Sequence, residues 1–114
     1  MKLQDILEIL DGQVICGKER LHEEVERGFA SDLLSDVLTL QTSNLILLTG
    51  MANVQTIRTA EMADIHYIVF VRKKKATPDI VDLAKENNLV IIECSYSMFR
   101  AAGLLFKAGL KAVY

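Results

Sequence analysis

Tryptophan is absent from the 114-residue sequence, proline occurs once, cysteine twice and glycine six times. So few helix and strand breakers exclude a collagen-like chain or a low-complexity linker. A hydrophobic content of 51% likewise excludes a disordered tail. The two cysteines lie far apart and neither belongs to a Cys-x-x-Cys pair, so no disulfide framework is expected. Cys16 and Cys94 read as buried structural thiols of an intracellular chain. Positive charge is not in excess: 13 Lys and Arg against 15 Asp and Glu give a net charge of −2. Such a chain has no general attraction for phosphate backbones, which argues against a nucleic-acid partner. Apolar runs stop far short of the roughly 20 residues that cross a bilayer. Charges interrupt the apolar stretch of Met1–Leu10, unlike the unbroken centre of a secretory leader. A cytoplasmic protein without a membrane partner is the expectation.

Recognisable reaction chemistry is missing as well. There is no Gly-x-Gly-x-x-Gly and no Gly-Lys-Ser/Thr phosphate loop. His22 and His66 have no metal-ligand spacing with each other or with a cysteine. No Ser/His/Asp or Cys/His set can be assembled. No catalytic residue, metal site or cofactor is expected, and the chain reads as a non-enzyme.

What is present is a regular alternation of elements. Leu3, Ile6, Leu7 and Leu10 form one stripe of an opening helix, which Asp11-Gly12 ends through glycine's tolerance of the left-handed conformation. Gln13–Cys16 reads as a brief strand with a turn at Gly17, and Val25–Ala30 as another strand. Ser31 is placed as the N-cap of a helix over Ser31–Leu38. Leu45–Leu48 and Tyr67–Val71 are continuous apolar runs, as expected of strands covered on both faces. Between them Val54, Ile57 and Ala60 mark a helix. Thr77-Pro78-Asp79 opens the next helix, Asn87-Asn88 closes it, and Val90–Ile92 is a third buried strand. Phe99, Ala102, Gly103, Phe106 and Leu110 line up as the apolar face of a closing helix. Strand and helix alternating with short connections predict a three-layer α/β/α domain with a mostly parallel sheet of about five strands. The irregular first half is expected to add short strands at an edge.

Ligands of open parallel sheets sit beyond the carboxyl ends of the strands. Those ends carry Thr49, Gly50 and Asn53, then Arg72, then Ser95, with Arg58 one turn into the helix that Asn53 opens. Backbone N–H groups, a hydroxyl, an amide and guanidinium groups suit an oxyanion such as phosphate or carboxylate. The same residues also read as a tight turn, a helix cap and solvated charges. Ser31, Asp32, Ser35 and Asp36 place two hydroxyls and two carboxylates at i and i+4 of the expected helix. They suit a cation, a ligand hydroxyl or a partner protein, or else form a solvated face. Arg72–Lys75 is a basic run at a strand exit, solvated or facing an anion.

In order, SDLLSDVL, LILLTGMANVQTIRTAEMADIHYIVFVR, TPDIVDLAKENNLVII and SYSMFRAAGLL resemble the DRTGG domain family. The resemblance runs from Leu3 to Leu110, so residues 1–114 read as one such domain. Its specificity lies in the order and spacing of the segments together. Members look like the N-terminal domain of bacterial HPr kinase/phosphatase. They occur alone, before phosphotransacetylases, and between the CBS domains of some inorganic pyrophosphatases. The family takes its name from an Asp-Arg pair after one strand and a Thr-Gly-Gly after the next. Here Thr49-Gly50-Met51-Ala52-Asn53 stands at the first place and Val71-Arg72-Lys73 at the second. The fold inference is untouched by this departure, but no binding site is carried over with it. The resemblance implies a bacterial regulatory or ligand-sensing module. With a mean hydropathy of +0.25, a homodimer is expected. A small anionic ligand, a nucleotide or phosphorylated metabolite, and a docking partner protein are the expected partners. A scaffold without ligand and a non-catalytic subunit of an enzyme remain as alternatives.

Overall fold

Runs of β-branched and aliphatic residues such as Leu45–Thr49 can sit only where both faces of a strand are covered. In the computed structural model, which describes residues 1–114, they are so placed. The strands are β1 (Gln13–Cys16), β2 (Arg27–Ala30), β3 (Leu45–Thr49), β4 (Tyr67–Phe70), β5 (Val90–Glu93) and β6 (Lys111–Ala112). The helices are α1 (Leu3–Ile9), α2 (Leu34–Val37), α3 (Val54–Met62), α4 (Pro78–Glu86) and α5 (Met98–Lys107). One six-stranded sheet runs in the order β1-β5-β4-β3-β2-β6. Every pairing is parallel except that of β1 with β5.

Alternation along the strands divides the core in two. Ile46 and Leu48 of β3, Val69 of β4 and Ile92 of β5 face Leu3 and Ile6 of α1 and Ala101 and Leu105 of α5. Leu47, Ile68, Phe70 and Ile91 face Val37 of α2, Ile57 and Ala60 of α3, and Ile80 and Ala84 of α4. This is the expected three-layer α/β/α arrangement. No helix is long and apolar enough to cross a membrane.

Several local expectations are corrected. The sheet has six strands, because Lys111–Ala112 adds a two-residue edge beside β2. That edge strand is too short to show a period. Only β1 is an edge strand in the first half, since β2 lies between β3 and β6. The helix expected over Ser31–Leu38 is a single turn, α2, with Leu33 at its N-cap. Ser31 instead accepts a local bond from the Leu33 N–H at 3.0 Å. At the end of α1, Asp11 takes the left-handed conformation with φ 47°. Gly12 is needed for space: a Cβ there would stand 2.9 Å from Ile92 and 3.1 Å from the Glu93 carbonyl oxygen. The closing helix is also rotated from its expected setting. Ala101 and Leu105 are its buried residues, while Phe99 and Phe106 are 89% and 68% exposed. The cysteines are buried and unpaired, as expected.

The amino-terminal edge of the sheet is closed by a small polar cluster. Arg20 ends a 3-10 turn (Lys18–Arg20) and grips Glu23 with two nitrogens, at 2.9 and 3.0 Å. The Tyr67 hydroxyl donates to Glu23 at 2.6 Å, and Arg20 also donates to the Asn88 carbonyl. The Arg20 guanidinium bonds, and next the Tyr67 hydroxyl, lower the Glu23 carboxyl pKa to about 2. A carboxyl lowered on folding contributes stability that is complete above its unfolded value, near 4.3, and is lost as pH falls through the folded one. Urea unfolding should therefore show stability falling between about pH 4.5 and 2. Glu23→Gln should flatten that part of the profile, and an unchanged slope would refute this role.

Candidate functional site

Parallel pairing of β3 with β4 matches Thr49 to Phe70, so the chain leaves both strands at one edge. Pairing of β2 with β3 matches Ala30 to Leu48, which carries Asp32 alongside Gly50. Three polar groups converge there on the Asp32 carboxylate. Oδ1 accepts from the Gly50 N–H at 2.6 Å and from the Thr49 hydroxyl at 3.0 Å. Oδ2 accepts from Nη2 of Arg72 at 3.0 Å. Charge-assisted bonds of this kind are stronger than neutral ones. The ion pair remains open to water, with the Arg72 and Asp32 side chains 46% and 39% exposed.

Glycine at position 50 is a steric requirement of this cluster. A Cβ there would stand 2.6 Å from the Arg72 Cζ, so the guanidinium lies directly over the glycine. Thr49 is fully buried, and its oxygen also accepts from the Met51 N–H at 3.1 Å. Asn53 caps α3, its side-chain oxygen accepting from the Thr56 N–H at 2.9 Å. The Thr56 hydroxyl in turn donates to the Met51 carbonyl at 2.6 Å. These bonds fix the turn from Thr49 to α3.

The β4 exit is held from the other side. Arg72 and Lys73 both adopt φ 62°, a left-handed pair, and their N–H groups donate to the carbonyls of Tyr96 and Cys94. Each non-glycine residue in this region costs about 1–2 kcal/mol. The pair turns the chain back over the sheet edge and sets the Arg72 side chain on Gly50. Further along, buried Glu93 accepts from the Ala76 N–H at 2.8 Å and pairs with Lys75 at 3.2 Å. The basic run is thus divided, with Arg72 and Lys75 paired and Lys73 and Lys74 exposed to solvent.

Of the residues expected at this edge, Thr49, Gly50 and Arg72 meet directly. Asn53 stands beside them as a helix cap. Ser95 lies between the two carbonyls that hold the Arg72 turn, with its side chain exposed. Arg58 is exposed on α3, and its side chain makes no hydrogen bond or ion pair within the chain. The grouping of Ser31, Asp32, Ser35 and Asp36 on one helix face is not found. Ser31 and Asp32 precede α2, Ser35 and Asp36 are exposed, and Asp32 turns inward to the sheet edge. Asp32 is the residue whose position sequence reasoning missed. The usable signal was its distance from the end of β2, which equals that of Gly50 from its β2-matched partner in β3.

The DRTGG domain family model matches residues 5–108. No curated protein matches the chain. Among solved structures, the chain is similar to the CBS and DRTGG domains of the regulatory region of Clostridium perfringens pyrophosphatase, complexed with the activator diadenosine tetraphosphate. The TM-score is 0.79 at 15% identity, covering 96% of this chain and 47% of that one. The chain therefore spans about half of that neighbour, and the likeness shows the fold.

Where Thr-Gly-Gly is expected from the family motif, this chain has Val71-Arg72-Lys73, and the two left-handed residues stand at the two glycine places. Arg72 has a side-chain bond to set against its strain, whereas the Lys73 side chain makes none. Lys73→Gly should therefore leave stability unchanged or raise it by up to about 1 kcal/mol, after the added flexibility of the unfolded chain is counted. Destabilisation in urea unfolding would contradict the strained geometry.

Proposed function

Because the chain belongs to the DRTGG domain family, we propose that residues 1–114 act as one regulatory, non-catalytic domain of a bacterial cytoplasm, binding a small oxyanion ligand at the carboxyl edge of β3 and β4. One observation carries this reading. A buried hydroxyl, a backbone N–H and a guanidinium from two parallel strands already converge on a carboxylate, that of Asp32. Donors arranged for one oxyanion suit another of similar size, so the ligand class is a phosphate or carboxylate carried by a nucleotide or metabolite. The activator in the pyrophosphatase regulatory region belongs to this chemical class. The thiols support a non-catalytic role. Burial pushes both Cys16 and Cys94 up, and each donates to a backbone carbonyl, so neither is a ready nucleophile.

Thermal melting against nucleotides and phosphorylated metabolites tests the reading. A ligand at a hundred times its Kd should stabilise the fold by about 2.7 kcal/mol, and Arg72→Ala should remove the resulting rise in midpoint. A ligand that stabilises parent and Arg72→Ala equally would place the site elsewhere.

A second feature supports self-association. Phe99 and Phe106 project from α5 on either side of Gly103, where a Cβ would meet nothing within 4 Å. Beside them a cavity of about 340 Å³ opens between α5 and the β2–β6 edge, lined by Phe29, Ala30 and Leu110 among others. Exposed aromatic residues around an apolar hollow mark an interface, and we place the homodimer contact there. Light scattering at high micromolar concentration should report a dimer for the parent and a monomer for Phe106→Glu. A monomeric parent would remove the dimer.

A further inference from the structure

We propose that the Asp32 carboxylate is an internal competitor for this site, and that an incoming oxyanion displaces it and frees residues 32–36. The inference rests on the reading that the edge binds an oxyanion, and it adds how that binding is regulated and what it moves.

The donors at this edge are already occupied. Both Asp32 oxygens are used, Oδ1 on Gly50 and Thr49 and Oδ2 on Arg72. A phosphate or carboxylate approaching the same donors meets a negative charge already seated on them. The two cannot share the Gly50 N–H, which has one proton to donate. Ligand and Asp32 therefore exclude each other at that donor.

Apart from Asp32, few hydrogen bonds hold residues 32–36 to the rest of the fold. Before it, the Ser31 N–H donates to the Leu48 carbonyl at 3.0 Å, which anchors the end of β2. After it, Val37 and Leu40 are buried in the core beneath α2 and α3. Between these anchors, the other hydrogen bonds of residues 32–36 are local, such as Asp36 N–H to the Leu33 carbonyl. Only the Asp32 side chain ties the stretch to the sheet edge. Leu33 is already 57% exposed, and the half-buried Leu34 is the main apolar side chain that lifting the stretch would newly uncover. A segment anchored at Ser31 and at Val37, and tied to the sheet edge between them by the Asp32 side chain, has two arrangements, fastened and free. A ligand that binds only the free arrangement shifts the population towards it.

Competition of this kind lowers apparent affinity by the fraction of molecules in which the donors are free. Asp32→Asn keeps the shape and one acceptor oxygen but loses the charge facing Arg72. With inorganic phosphate as probe, this variant should bind about tenfold more tightly than the parent in a calorimetric titration. Removing a negative charge would favour an anion even without displacement, so a second measurement on the parent decides the point. Phosphate should lower the ¹⁵N order parameters of Leu33–Asp36 while those of Val37–Leu40 stay fixed. Arg72-dependent phosphate binding with Leu33–Asp36 unchanged or more ordered would overturn the displacement and leave the oxyanion site standing. Phosphate binding that does not depend on Arg72, or none by either protein, would overturn the site and the displacement together.

Discussion

Parallel pairing of Ile46–Thr49 with Tyr67–Phe70 is the constraint on which the rest of the structure depends. Parallel strands need a crossover, and α3 supplies it by packing Ile57 and Ala60 on the sheet. The same pairing brings two strand exits, Gly50 and Val71, to one edge, where the Val71 N–H donates to the Thr49 carbonyl at 3.0 Å. Addition of β2 in parallel beside β3 delivers a third exit, and with it Asp32. Any register shift by one residue would turn every strand residue to the opposite face. With Leu47, Ile68 and Phe70 buried on one face and Ile46, Leu48 and Val69 on the other, the hydrophobic core holds that register.

Local geometry then converts a common edge into a specific arrangement of donors. The left-handed pair Arg72-Lys73 is conformationally unfavourable, and it persists because two carbonyls of the β5–α5 connection receive its N–H groups. Its consequence is a guanidinium laid across a glycine, a place no other residue type at position 50 would leave open. The pieces depend on one another. The turn sets Arg72 over Gly50, and a side chain at position 50 would push the guanidinium aside. Glycine at these two positions would relieve the strain, and at position 72 it would also remove the cation.

The two helical layers also differ in what they leave uncovered. On one side, α3 and α4 bury Ile57, Ala60, Ile80 and Ala84 against the sheet, and Met62 at the end of α3 is the large apolar side chain they leave exposed. On the other, α5 buries Ala101 and Leu105 but leaves Phe99 and Phe106 in solvent. The helix is thus apolar on two sides, and the sheet covers only one of them. The end of β2 joins the two regions, since Phe29 and Ala30 line the hollow beside α5 and Asp32 follows two residues later.

Much of the architecture was legible in the sequence by itself. Buried runs at Leu45, Tyr67 and Val90, separated by helices with a capping asparagine or a Thr-Pro start, determine a parallel α/β sheet because only covered strands tolerate such runs. They determine equally that Thr49, Gly50 and Arg72 leave on one edge, since parallel strands share a direction. Two-residue β6 and one-turn α2 were not legible, because such short elements carry too few residues for a period to show. The rotation of α5 was not legible either, because the helix has apolar residues on two sides, Ala101 and Leu105 on one and Phe99 and Phe106 on the other. Above all, the sequence does not assign Asp32. Its carboxylate meets Gly50 from 18 residues away and Arg72 from 40. Local spacing alone placed it on a helix with Ser35 and Asp36. Only the packed sheet decided its partner, because strand register is a long-range property, and a polar side chain goes where the assembled backbone leaves a donor unpaired.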